Sequence, residues 1–143
     1  IQVNLTSAFT ITQSLAPLMK NSKQASVINI ASIYGIIGPD MSLYKDMKMG
    51  NPAAYAASKG GLIQLTKWLA TNLAPDIRVN SISPGGILRG QKETFVTRYN
   101  NKTPLGRMAK EEDFKGIVAY LASDMSAYVT GQNFVIDGGW TCW

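Results

Sequence analysis

Tyr55 and Lys59 stand four residues apart, the spacing that puts two side chains on one helix face about one turn apart. A free phenol titrates near 10, and bringing one towards 7 takes roughly 4 kcal/mol at 1.36 kcal/mol per unit. An ammonium ~4 Å away, at an effective dielectric near 20, supplies about that much. A tyrosine beside a lysine can therefore exchange a proton near neutral pH, the task of a general acid–base. The same spacing also describes a packed ring beside a solvated lysine stem, so the pair needs a context. Ser32 begins to supply one. It follows the run ASVINIA, and open α/β sheets place their ligand sites at the carboxyl ends of strands.

The elements that must position these residues are legible from periodicity. Residues 3–19 carry Leu5, Ala8, Phe9, Leu15, Ala16 and Met19, mostly three or four apart, which predicts a helix ending near residues 21–22. Residues 25–31 form a short β-branched run, expected as a buried strand. Residues 34–51 are Gly-, Pro- and Met-rich without a period and are expected as loop. Asn51-Pro52 reads as an N-cap followed by proline at the first helical position. The helix it opens shows Leu62, Leu65, Leu69 and Leu73 on one face and ends before Pro75.

A second strand is expected over 77–83 (IRVNSIS), closed by Pro84-Gly85-Gly86. A short helix is expected around 93–99. A third main helix is expected over 111–123 with Phe114, Ile117, Val118 and Leu121 inward, and a third strand over 133–136, closed by Asp137-Gly138-Gly139. This alternation predicts an α/β fold, a Rossmann-like doubly wound parallel sheet with helices on its faces. Three strands make a thin sheet, and the first helix has no strand before it. The 143 residues are therefore expected to be the C-terminal part of a larger domain.

Composition excludes several alternatives. With 45% hydrophobic and 16% charged residues the chain is neither disordered nor collagen-like. No apolar stretch approaches the roughly 20 residues that cross a bilayer. A lone Cys142 permits no internal disulfide, and with no histidine there is no Ser–His or Cys–His nucleophile and no histidine-built metal site. No metal is expected. Fourteen Lys and Arg against nine Asp and Glu give +5. These charges are scattered rather than clustered, so a solvated surface is expected rather than a nucleic-acid face. No membrane partner is expected, and content alone points to the cytoplasm.

Taken in order, Ser32 after VINIA, NPAAYAASKGG, IRVNSISPGGI and VTGQNFVIDGG resemble the short-chain dehydrogenase/reductase family over its C-terminal half. The resemblance implies an NAD- or NADP-dependent oxidoreductase acting on a small-molecule secondary alcohol or ketone. By position, Tyr55 matches the acid/base and Lys59 the residue that activates it and holds the nicotinamide ribose. Ser32 matches the hydroxyl that polarises the substrate carbonyl, and Asn4 in VNLTSAF the residue holding a relay water. Pro84, Gly85 and Ile87 match the turn along the nicotinamide. A homodimer or homotetramer is implied, packed through the helices over 1–21 and 52–74. Trp68 and the Gly60-Gly61 flat spot are expected to meet symmetry mates.

The chain departs from the family twice. Leu88-Arg89-Gly90 stands where a threonine usually holds the carboxamide, and about ten extra residues separate Ser32 from Tyr55. The insertion over 38–50 is expected to loop out with its ends close together. Its Met41, Leu43, Tyr44, Met47 and Met49 line a substrate pocket or an interface, or pack on a neighbouring loop. Shortening it is expected to leave the fold in place. Residues 86–108, with Arg89, Arg98 and Arg107, match the family's mobile substrate lid, or form an ordinary surface loop. Two other readings stay open. PGGI, TPLGRM and DGGWT are similar to reductases of bacterial surface-sugar modification, and a non-catalytic scaffold would share the fold.

Overall fold

The computed structural model describes residues 1–143. Strands β1 (Ser26–Ile30), β2 (Arg78–Pro84) and β3 (Asn133–Ile136) form one sheet in the order β1-β2-β3, both pairs parallel. Ser26 pairs with Arg78 and Ser81 with Asn133. Helices α1 (Ser7–Met19), α2 (Ala53–Leu73), α3 (Glu93–Lys102) and α4 (Lys115–Ala122) connect or flank the strands.

Strand periodicity sorts the helices onto the two faces of the sheet. Val27, Ile77 and Val79 pack with Ala16, Leu69 and Ala70 of α1 and α2. On the other face, Ser26 and Arg78 bond to the Leu121 carbonyl at the end of α4. The sheet is doubly wound, as expected. Central β2 is buried from Val79 to Ser83 even though Asn80, Ser81 and Ser83 are polar. Buried polar groups are stable when paired, and Asn80 bonds to Val129 and Gln132 while both serines bond to Asn133.

Several boundaries differ from expectation. The first helix opens with a π-turn, Gln2–Thr6, before α1. Pro52, not Asn51, is the cap of α2. Its ψ of 136° is extended, so its own carbonyl receives Tyr55 N–H, and Asn51 sits one residue too early to cap. The Asn51 side-chain nitrogen and oxygen are both buried without a partner. The helix expected over 111–123 divides into a 3₁₀ turn, Glu111–Phe114, and α4, and Val118 is exposed rather than inward.

The insertion does not simply loop out. It contains a 3₁₀ turn, Met41–Tyr44, capped by the Asp40 carboxylate. Its Leu43 is 0% exposed, inside a second cluster with Ile33, Phe95, Tyr99, Met108 and Trp140. Arg98 of α3 donates to the Leu43 and Lys45 carbonyls, and Lys102 pairs with Asp40. Removing this segment would empty part of a core, contrary to the expectation that shortening it leaves the fold untouched.

Candidate active site

Above the carboxyl ends of β1 and β2 lies a cleft of about 550 Å³. Its wall includes Ser32, Tyr55 and Lys59 together with Pro84, Gly85 and Ile87. These six residues come from three separate stretches of sequence. Asn4 is not in the lining. It stands behind α2, where its Nδ2 donates to the Ser58 hydroxyl at 3.1 Å.

Ser32 stands two residues beyond β1 and caps a 3₁₀ turn, Ile33–Gly35, its hydroxyl oxygen accepting Tyr34 N–H at 3.2 Å. Its own proton is not engaged by that bond and can be donated elsewhere. The turn lies directly on α2. A Cβ on Gly35 would sit 2.7 Å from the Lys59 carbonyl carbon and 2.8 Å from Gly60 nitrogen, both backbone atoms. Gly60 meets Gly35, and Gly61 meets Leu5 of the π-turn, where a Cβ would stand 2.8 Å from Cδ2. The two glycines therefore admit neighbours from within the chain, which corrects the expectation that they form a flat spot for a symmetry mate.

Tyr55 lies in the first turn of α2 and is 36% exposed. The Lys59 Nζ stands 5.7 Å from the centre of its ring and donates to the Ile30 carbonyl at 2.7 Å. Partial burial holds Lys59 below the ordinary lysine value, because desolvation disfavours its charge. The two hydroxyl-bearing elements and the amine thus share one open, mainly apolar cleft.

The Pro84–Gly86 stretch is held by parts the sequence did not single out. Tyr99 accepts Gly86 N–H at 2.6 Å and stacks on Trp140 with ring centres 4.3 Å apart. A Cβ on Gly86 would fall 2.8 Å from Tyr99 Cζ, and one on Gly85 2.8 Å from Asp137 Cα. Burial pushes the Tyr99 phenol up, which keeps it a neutral acceptor. Tyr34 is pushed up as well, by burial and by its hydroxyl contact with Tyr44 at 3.2 Å. The i, i+4 aromatic pair Phe95 and Tyr99 was a signal for a buried helix face.

The three arginines expected on a substrate lid are all engaged within the chain. Arg89 pairs with Glu111 at 2.8 Å, Arg98 holds the insertion, and Arg107 grips Asp113 through two nitrogens. Gln91 donates to the Ile87 carbonyl at 2.8 Å and accepts Arg89 N–H. A side-chain amide therefore stands on the cleft wall just after Leu88-Arg89-Gly90, the stretch that lacks the family's threonine.

A doubly wound sheet with a Ser, Tyr and Lys cleft at its carboxyl edge defines a class, and the chain belongs to the short-chain dehydrogenase/reductase family. Residues 1–141 match the family model described as enoyl-(acyl carrier protein) reductase. The chain is 39% identical to 3-oxoacyl-(acyl-carrier-protein) reductase FabG of Thermotoga maritima over 97% of its own length and 54% of that protein. Among solved structures, it resembles a short-chain dehydrogenase of Leptospira borgpetersenii with bound NAD+, with a TM-score of 0.89 and 46% identity, covering 97% of this chain and 54% of that one. It also resembles 4-hydroxyisoleucine dehydrogenase complexed with NADH and succinate, with a TM-score of 0.85 and 36% identity, covering all of this chain and 57% of that one. Solved relatives hold NAD+, NADH and NADP. The chain spans about half the length of the curated relatives it matches. No helix is long and apolar enough to cross a membrane.

Proposed function

We propose that this chain is the C-terminal part of a single Rossmann-like domain, and that the complete domain exchanges a hydride between a nicotinamide cofactor, NAD or NADP, and the carbon of a secondary alcohol or ketone. One observation carries the reading: Ser32 from the turn after β1 and Tyr55 and Lys59 from α2 line one cleft at the carboxyl end of a parallel sheet.

The donor set fits such a cofactor. The Lys59 ammonium has three protons and bonds one of them to Ile30, leaving two for ribose hydroxyls. Pro84, Gly85 and Ile87 offer an apolar wall without charged groups, suited to a flat ring. When bound, the nicotinamide supplies or accepts the hydride. Tyr55 gives its hydroxyl proton to the substrate oxygen during reduction and takes it back during oxidation. Lys59 stabilises the negative charge left on Tyr55 after that transfer. Ser32, its oxygen already bonded to Tyr34, donates its proton to the same substrate oxygen and polarises the carbonyl. Asn4, bonded to Ser58 on the neighbouring position of α2, holds the water that restores the proton.

In this reading the protein is cytoplasmic and works as a homodimer or homotetramer. Support for assembly comes from α1 and α2, where Ile11, Leu15, Leu18 and Trp68 are 46–70% exposed on the outer side. The test is Tyr55→Phe in the complete domain. Turnover is expected to fall by at least ~10²–10⁴, the worth of a positioned acid–base, with cofactor affinity nearly intact, whereas Lys59→Ala weakens both. Normal turnover in Tyr55→Phe would end the assignment.

A further inference from the structure

Ser58 lies between Tyr55 and Lys59 in the sequence, yet it is fully buried and absent from the cleft wall. Its hydroxyl donates to the Tyr55 carbonyl at 2.7 Å and accepts from Asn4 Nδ2 at 3.1 Å. A serine hydroxyl has a single proton. With that proton committed to the Tyr55 carbonyl, Ser58 can only accept from Asn4, so the amide must present its NH₂ and turn Oδ1 away. Asn4 in turn belongs to the π-turn, where the helical ladder is displaced. Ser7 N–H reaches the Gln2 carbonyl, and the Ser7 hydroxyl takes the Val3 carbonyl instead. Such turns are rare and cluster at functional sites. This one is seated on α2 by the Asn4–Ser58 bond and by Leu5 against Gly61.

We propose that Ser58 is a positioning residue for the reaction: it locks the π-turn to the turn of α2 that carries Tyr55 and Lys59, and it fixes the orientation of the Asn4 side chain. The proposal rests on the reading of Tyr55 and Lys59 as the proton-exchanging pair. A hydroxyl that merely filled space would be replaceable by any group of its size. One that orients Asn4 must act through Asn4, and that dependence is measurable.

The experiment compares Ser58→Ala, Asn4→Ala and the double variant in the complete domain with its nicotinamide cofactor. Ser58→Ala is expected to fold, keep cofactor affinity and substrate KM within about twofold, lower kcat roughly tenfold (one buried neutral hydrogen bond) and shift the pH profile of kcat. The double variant is expected to be no slower than Asn4→Ala alone, because the two losses share one route. Ser58→Cys, close in size and a weaker donor, is expected to fall between wild type and Ser58→Ala, and carries the comparison if the alanine variant does not fold. Wild-type kcat and pH profile in the serine variants, or losses that multiply in the double variant, would overturn the proposal. A Tyr55→Phe control separates the two readings. If it is inactive while the Ser58 variants are normal, only the role of Ser58 fails; if it is active, the acid–base reading itself fails.

Discussion

Gly35→Ala tests whether the geometry of the cleft depends on the contact between the Ser32 turn and α2. The added methyl would stand 2.7–2.8 Å from three backbone atoms of Lys59 and Gly60. Backbone cannot rotate away as a side chain can, so the turn must retreat by roughly 0.7 Å to reach ordinary contact at 3.4 Å. Overpacking of this kind costs about 1–3 kcal/mol, and for a domain of 150–250 residues each kcal/mol lowers Tm by about 2–4 °C. The retreat also carries Ser32 away from Tyr55 and Lys59, and a displacement near 1 Å in a reacting constellation costs about 10² in rate. The expected result in the complete domain is a Tm lower by roughly 2–12 °C and kcat lower by about 10–10². Gly60→Ala is the matched control. Its methyl would meet the Gly35 carbonyl oxygen at 3.3 Å and Gly35 Cα at 3.9 Å, and alanine gains up to about 1 kcal/mol over glycine within a helix. It should therefore fold at least nearly as well and retain activity. A Gly35→Ala protein that melts and turns over like the unmodified one, or a Gly60→Ala protein that is the worse of the two, would refute this dependence of the cleft on the Gly35 contact.

Three further outcomes follow from the same contacts. Lys102 and Ser42 hold the Asp40 carboxyl at about 2, down from an ordinary 3.8. A depressed acid contributes stability above its unfolded value and loses it as pH falls through the folded one. Amide protection over residues 40–47, taken relative to the intrinsic exchange rate at each pH, is expected to fall between about pH 4 and 2, and Asp40→Asn should remove that step. Arg98→Ala frees the Leu43 and Lys45 carbonyls, and steady-state kinetics should show a raised substrate KM with cofactor affinity unchanged; equal loss of both would contradict a role confined to the insertion side of the cleft. Leu15→Glu with Leu18→Glu, on the exposed side of α1, is expected to yield monomers in sedimentation, and an unchanged assembly would remove α1 from the interface.

Local pattern was enough to determine much of this chain. The β-branched runs became β1 and β2, and leucines at helical spacing became the buried stripe of α2. Tyr55 and Lys59 were bound to share a helix face, because four residues make about one turn whatever the surroundings. Tertiary structure alone decided what lies opposite each residue. Gly60 and Gly61 are identical in sequence terms, yet one receives a 3₁₀ turn and the other a π-turn. Asn51 looked like a cap, but the extended Pro52 moved the helix start one residue onward. The insertion reads as featureless loop, yet Leu43 is buried with Phe95 and Tyr99 of the distant α3, and Arg98 grips its carbonyl. Ser58 gave no signal at all, since its partner Asn4 is 54 residues distant. Periodicity reports which face a residue takes on its own element, while the contacts that align a proton-exchanging pair form between elements, after the chain has closed on itself.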